Sequence, residues 1–174
     1  MQCSVYIATS LDGYIARPDG GLDWLSAAQS SGEDYGYATF AASVDALVMG
    51  RTTYDTVLGF GAWPYAGKRV VVLTHRPAES RHGEELHGGD VEELVQRLAR
   101  EGVKRIYVDG GVVIQQFLAA KLIDDLTISI IPVVLGAGIR LFSDRGPEES
   151  LVLDGVDSFT SGLVQLRYRV KSRL

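Results

Sequence analysis

Residues 69–74 read RVVVLT, a β-branched run that is apolar on both faces. Such a strand has no side to turn toward water, so it belongs inside a parallel sheet covered on both faces. Residues 4–10 (SVYIATS), 46–49 (ALVM) and 105–108 (RIYV) are further short strands of this kind. Stretches with helical spacing separate them. Residues 33–43 set Tyr37, Phe40 and Ala41 on one side, and residues 52–58 form a short helix. Residues 90–100 align Val91, Leu94, Val95 and Leu98 in one stripe, with Asp90 as cap, Glu93 in capping-box position and Gly102 placed to close the helix. Residues 112–120 are apolar nearly all round, so this helix is expected to be covered on two sides.

Strands alternating with helices predict an α/β fold with a mainly parallel central sheet and helices on both faces. The pattern changes late in the chain. Residues 126–134 form a long strand with Pro132 near its end, residues 151–153 offer another, and residues 163–170 alternate polar with apolar side chains. With no helices between them, these strands are expected to pair antiparallel, making the sheet mixed. No linker or repeat interrupts residues 1–174, which read as one domain.

Charge and cysteine content narrow the function. Against 17 basic residues stand 22 acids, a formal net charge of −5 that argues against nucleic acid as a partner. Cys3 is the one cysteine, which excludes an internal disulfide and a thiolate zinc site. No apolar run reaches the ~18 residues of a membrane span, and no basic-then-apolar leader opens the chain, so a cytoplasmic location is expected. His75, His82 and His87 lie near one another in a Gly- and Glu-rich stretch, which reads as a solvated loop rather than a metal site.

In open α/β sheets ligands bind at the carboxyl ends of the strands. After the second strand come Gly50, Arg51, Thr52 and Thr53, a turn with free helix-start amides, hydroxyls and one fixed charge, suited to a phosphate; the alternative is an ordinary helix cap. After the third come Thr74, His75 and Arg76, where the arginine can grip a ribose 2′-phosphate or simply sit in water. After the fourth, Asp109-Gly110-Gly111 opens the apolar helix, two glycines that permit close approach of a pyrophosphate. An extended, phosphate-rich ligand lying across the strand ends accounts for all three turns. Neither GxGxxG nor a P-loop is present. Asp34, in the first helix, is the candidate acid: partly buried at the strand ends it would have a raised pKa and could relay a proton. The alternative is a solvated aspartate near a helix start. Asp12 and Asp109 read as residues that order their turns.

Several of these segments together resemble the dihydrofolate reductase superfamily: residues 49–54 (MGRTTY), 72–76 (VLTHR), 109–111 (DGG) and 116–118 (QFL). Residues 8–16 (ATSLDGYIA), 131–138 (IPVVLGAG) and the Leu141-Phe142 pair are similar to its branch named for the reductase domain of the bifunctional riboflavin biosynthesis deaminase-reductase. The likeness runs from about residue 3 to residue 170. It implies a dihydrofolate reductase-like fold, NADPH as hydride donor, a small pterin- or pyrimidine-like substrate and commonly a homodimer. Residue by residue, it implies that Gly50, Arg51, Thr52 and Thr53 hold cofactor phosphates and that Thr74, His75 and Arg76 face the ribose and its 2′-phosphate. Gly110, Gly111, Val112 and Val113 would line the pyrophosphate and nicotinamide, with Ala8 and Ile15 near the ring to be reduced. Asp34 stands sixteen residues before Gly50, the spacing of the substrate-binding acid in dihydrofolate reductases. The chain departs from the riboflavin-pathway pattern at Tyr6 and Tyr14, where that branch carries basic residues.

These features lead to a reductase of a small heterocycle. A non-catalytic NADP(H)-binding or sensor module is the second reading, and a structural dimer whose glycines are only turns is the third.

Overall fold

The computed structural model describes residues 1–29 and 32–171. In chain order the elements are β1 (Gln2–Ser10), β2 (Tyr14–Ala16), a 3-10 turn (Asp23–Leu25), α1 (Ser26–Gln29), α2 (Tyr37–Ser43), β3 (Ala46–Gly50), α3 (Arg51–Leu58), β4 (Arg69–Leu73), β5 (Glu85–His87), α4 (Val91–Arg100), β6 (Arg105–Asp109), α5 (Gly111–Ala119), β7 (Asp125–Ile131), β8 (Ile139–Arg140), β9 (Leu151–Ser158) and β10 (Val164–Val170). Eight strands form one sheet in the order β5-β4-β3-β6-β1-β7-β10-β9. The pairs from β5 through β7 are parallel, and β10 joins β7 and β9 antiparallel. β2 and β8 form a separate two-stranded ribbon.

The sheet is mixed and mainly parallel, with helices on both faces. On one face Leu94 and Leu98 of α4 and Ile114 and Phe117 of α5 pack on Val5, Ile106, Val108 and Leu126. On the other, Phe40 of α2 and Tyr54 of α3 pack on Leu47, Met49, Val70, Val72 and Tyr107. The all-apolar strand β4 is buried from Val70 to Val72, which is why its sequence shows no alternation. Among the described residues no helix is long and apolar enough to cross a membrane.

The structure departs from the sequence reading at several points. α2 begins at Tyr37 rather than residue 33, because Gly36 takes a left-handed conformation and Asp34 caps the helix from outside it. Asp90 precedes α4 but makes no side-chain cap, whereas Gly102 closes the helix at φ +89° as expected. α5 is covered on one side only: Val113, Ile114 and Phe117 are buried, while Val112 is 68 % exposed. β7 stops before Pro132, which has no N–H for the ladder. β9 runs eight residues, well beyond 151–153. His87 lies in a strand, β5, and His82 stacks on Trp63 with ring centroids 4.5 Å apart.

Two polar clusters fix the parts of β1 that approach the site. Asp12 accepts bonds from the Ser10 hydroxyl (2.6 Å) and from the amides of Leu135 (3.1 Å) and Gly136 (2.7 Å), tying the loop after β1 to the loop after β7. The Ser10 bond, reinforced by those amides, holds its carboxyl down to about 2. Tyr6 donates to the Tyr35 carbonyl at 2.6 Å and accepts from Gln165 Nε2 at 3.0 Å, and its ring stacks on Phe40.

Candidate active site

Parallel strands leave their last residues and the following helix starts on one rim of the sheet. Here that rim encloses a cavity of about 630 Å3, within the usual range for a small-molecule site. Its walls come from the ends of β3, β4 and β6, the middle of β1, the β2–β8 ribbon and the loop carrying Leu22 and Leu25. All three strand-end turns singled out in the sequence open onto it. Gly50, Arg51, Thr52 and Thr53, then Thr74, His75 and Arg76, then Gly110, Gly111, Val112 and Val113 all line it, as do Ala8 and Ile15.

The helix starts are arranged for an anion. Neither α3 nor α5 has a side-chain cap, so the first-turn N–H groups of both lack an intrahelical partner or a capping side chain. The glycine pair brings these two starts together. Gly110 has φ +92°, and a Cβ there would overlap the Thr53 hydroxyl of α3; a Cβ on Gly111 would lie 2.7 Å from Ile15 Cδ1. The two glycines therefore allow the approach of α3 and β2 to the start of α5, and both line the cavity. Val113 follows them inward, and a Cβ at Gly50 would lie 3.2 Å from its Cγ2, a contact that a small shift of that side chain relieves.

Charge in the wall is uneven. Arg51 is held by Asp55 at 2.9 Å and reaches the Pro77 carbonyl at 3.3 Å, so part of its charge is already answered. Arg76 makes no ion pair among the described residues, and its amide is fixed by Thr74 Oγ1 at 3.1 Å. Opposite them stands Asp109, at the end of β6. Burial pushes its carboxyl up to about 6, with only the Gly110 amide, at 2.8 Å, opposing the shift. Burial, and after it the Asp109 charge, raise the hydroxyl pKa of Tyr65, another residue of the wall.

The match to the RibD C-terminal domain covers residues 3–165. The chain belongs to that family. The uncharacterised protein YwjB of Bacillus subtilis strain 168 is 38 % identical over 168 residues, covering 94 % of this chain and 95 % of its own. A putative riboflavin biosynthesis protein from Shewanella sp. PV-4 has a crystal structure with a TM-score of 0.91 and 39 % identity, covering 98 % of this chain and 99 % of its own. A diaminohydroxyphosphoribosylaminopyrimidine deaminase/5-amino-6-(5-phosphoribosylamino)uracil reductase from Thermotoga maritima shares the fold at TM-score 0.70 and 17 % identity, with 97 % of this chain matching 56 % of that one.

Within this RibD-type site the acid differs from the one expected. Asp34 does not line the cavity. It is exposed, and its carboxylate accepts from the amides of Gly36 (2.9 Å) and Ala38 (3.1 Å), bonds that lower its pKa instead of raising it. A carboxylate that stabilises its charge this way is a poor proton donor at neutral pH. Asp109 has the properties looked for in Asp34. The signal was in the sequence: an acid as the last residue of a central parallel strand lies at the ligand rim by construction.

Proposed function

We propose that the protein is an NADPH-dependent reductase of a small heterocyclic, pyrimidine- or pterin-like compound, in keeping with the reductase named for its Thermotoga maritima structural neighbour. One observation carries the reading: two uncapped helix starts, the unpaired Arg76 and an acid with a raised pKa all face one cavity. The residues suit a dinucleotide. The first-turn amides of α3 and α5, with Arg51, answer anionic groups, and Arg76 offers the bidentate charge that a 2′-phosphate needs. When bound, NADPH supplies the hydride. Ala8, Ile15, Leu22 and Leu25 keep water from the reacting ring. Reduction of a C=N or C=O bond leaves negative charge that requires a proton, and Asp109 is placed to give it.

The test pairs dinucleotide titration by calorimetry with a screen of pterins, pyrimidines and quinones, followed by loss of reduced-nicotinamide absorbance. Binding with turnover supports the reductase. Binding without turnover of any compound favours the sensor reading, and failure to bind either dinucleotide overturns both.

We also infer a homodimer. Register places Leu151, Leu153 and Val156 of β9 on the same face as Val170, Tyr168 and Leu166 of β10, the face that α4 and α5 cover further along the sheet. Past α5 this face is bare: Leu153 and Val156 are each 52 % exposed. The ion pairs Arg169–Asp154 and Arg167–Asp157 tie down the charged groups of these strands. An uncharged apolar face is complementary to itself across a two-fold axis, so a second copy is the partner it suits.

A further inference from the structure

The charges in the cavity wall divide by strand. Arg51 follows β3, Arg76 and His75 follow β4, and His87 lies on β5. The remaining strands in the wall, β6 and β1 of the large sheet and the β2–β8 ribbon, contribute a single charged side chain, Asp109. With strand order β5-β4-β3-β6-β1 and a spacing of ~4.8 Å per strand, Arg76 stands ~10 Å from Asp109 across the sheet. The loop side chains that complete the wall, Leu22, Leu25, Phe60 and Tyr65, add no charge.

Two arginines lie near this end in sequence, but neither serves it. The Arg17 guanidinium is bound twice by Asp23, at 2.6 and 2.9 Å. Arg140 lies 5.0 Å above the Tyr14 ring, and neither it nor Tyr14 lines the cavity, although Ile15 and Ile139 of the same ribbon do. Tyr6 is taken up between Tyr35, Gln165 and Phe40.

We infer that the compound reduced here is a flat heterocycle that carries no phosphate. The inference rests on the reductase reading, which assigns the cationic end to the cofactor and leaves the β6–β1 end to the substrate. A phosphate brought past Asp109 toward β1 would be desolvated against Leu22, Leu25 and Ile15 with a carboxyl as its nearest charged neighbour, because Arg51 on the adjoining β3 is already held by Asp55 and the α5 start is taken by the cofactor. An uncharged heterocycle packs against Leu22, Leu25 and Ile15 with Tyr65, whose hydroxyl feels the Asp109 charge, and gives a ring N–H to Asp109. This separates the chain from reductases that recognise a ribosyl phosphate.

The experiment uses one matched pair, 5-amino-6-ribosylaminouracil and its 5′-phosphate. Calorimetry measures each against the protein alone and against the protein saturated with NADP+. The unphosphorylated compound is expected to bind at least tenfold more tightly in both forms. Leu22→Lys, which puts a cation on the uncharged wall, is expected to shift the ratio of the two affinities at least fivefold toward the phosphorylated compound. Equal or tighter binding of the phosphorylated compound to the unaltered protein, or no binding of either, overturns the inference. NADP+ affinity is read in a separate titration: loss of cofactor binding defeats the reductase reading, while the ranking of the pair on the protein alone still decides the phosphate question.

Discussion

Gly110 and Thr53 meet so closely that the glycine has no space for a side chain: a Cβ at Gly110 would overlap the Thr53 hydroxyl. This contact brings the starts of α3 and α5 onto one cavity. Gly110→Ala is therefore expected to fail twice, by the strain of a non-glycine residue at φ +92° and by pushing α3 away from α5. The expected cost is ~2–4 kcal/mol in chemical denaturation, with NADPH affinity at least tenfold weaker by calorimetry. Gly50→Ala is the control. Its φ of −80° suits alanine and its new methyl meets only the Val113 side chain, so both effects should be smaller.

Arg76 is expected to decide the choice of cofactor. A 2′-phosphate is the only charge that separates NADPH from NADH, and Arg76 is the arginine of the wall not engaged by a carboxylate. NADPH is expected to bind at least tenfold more tightly than NADH, about 1.4 kcal/mol. Arg76→Ala should close most of that gap by weakening NADPH and leaving NADH within twofold. Equal affinities in the unaltered protein would remove the basis for the assignment.

The late strands predict assembly. Light scattering at micromolar concentration is expected to give twice the chain mass. Val156→Lys, a charge in the middle of the bare face, should convert the protein to a monomer without lowering secondary structure measured by circular dichroism. A monomer in the unaltered protein would leave the exposed Leu153 and Val156 without their partner.

Much of the fold was legible because buried parallel strands have a distinctive composition: β3, β4 and β6 are short apolar runs, and each ends at a turn that opens onto the cavity. What escaped was short or exposed. β5 and β8 have three and two residues, too few for any periodicity, and their pairing depends on neighbours distant in sequence. β9 carries Asp154, Gly155 and Asp157, residue types that disfavour strands, and its run past residue 153 rests on register, which sets Gly155 opposite Arg167, whose guanidinium lies over the vacant Cβ position. The turns that line the cavity were legible because they depend on local chemistry. Asp34 was singled out on its spacing before Gly50, but two backbone amides hold its charge in the open, whereas Asp109, at the end of a central strand, is buried.

Asp109 supplies the last prediction. Burial raises its folded-state carboxyl to about 6, above the ordinary value of 3.8. Its contribution to stability is thus fully present below the unfolded value and lost as pH rises between 3.8 and about 6, because only the folded state resists ionisation. Asn cannot ionise and can still accept the Gly110 amide, so Asp109→Asn should be more stable than the unaltered protein at pH ~7, by ~2 kcal/mol, with the difference vanishing near pH ~4. Turnover should move the opposite way. If the protonated carboxyl gives the proton, kcat falls as pH rises above about 6, and Asp109→Asn lowers kcat by roughly 10²-fold and flattens that limb. Asp34→Asn should leave the profile untouched and kcat within threefold, since that side chain only caps α2. A pH limb that survives in Asp109→Asn would assign the proton to water instead.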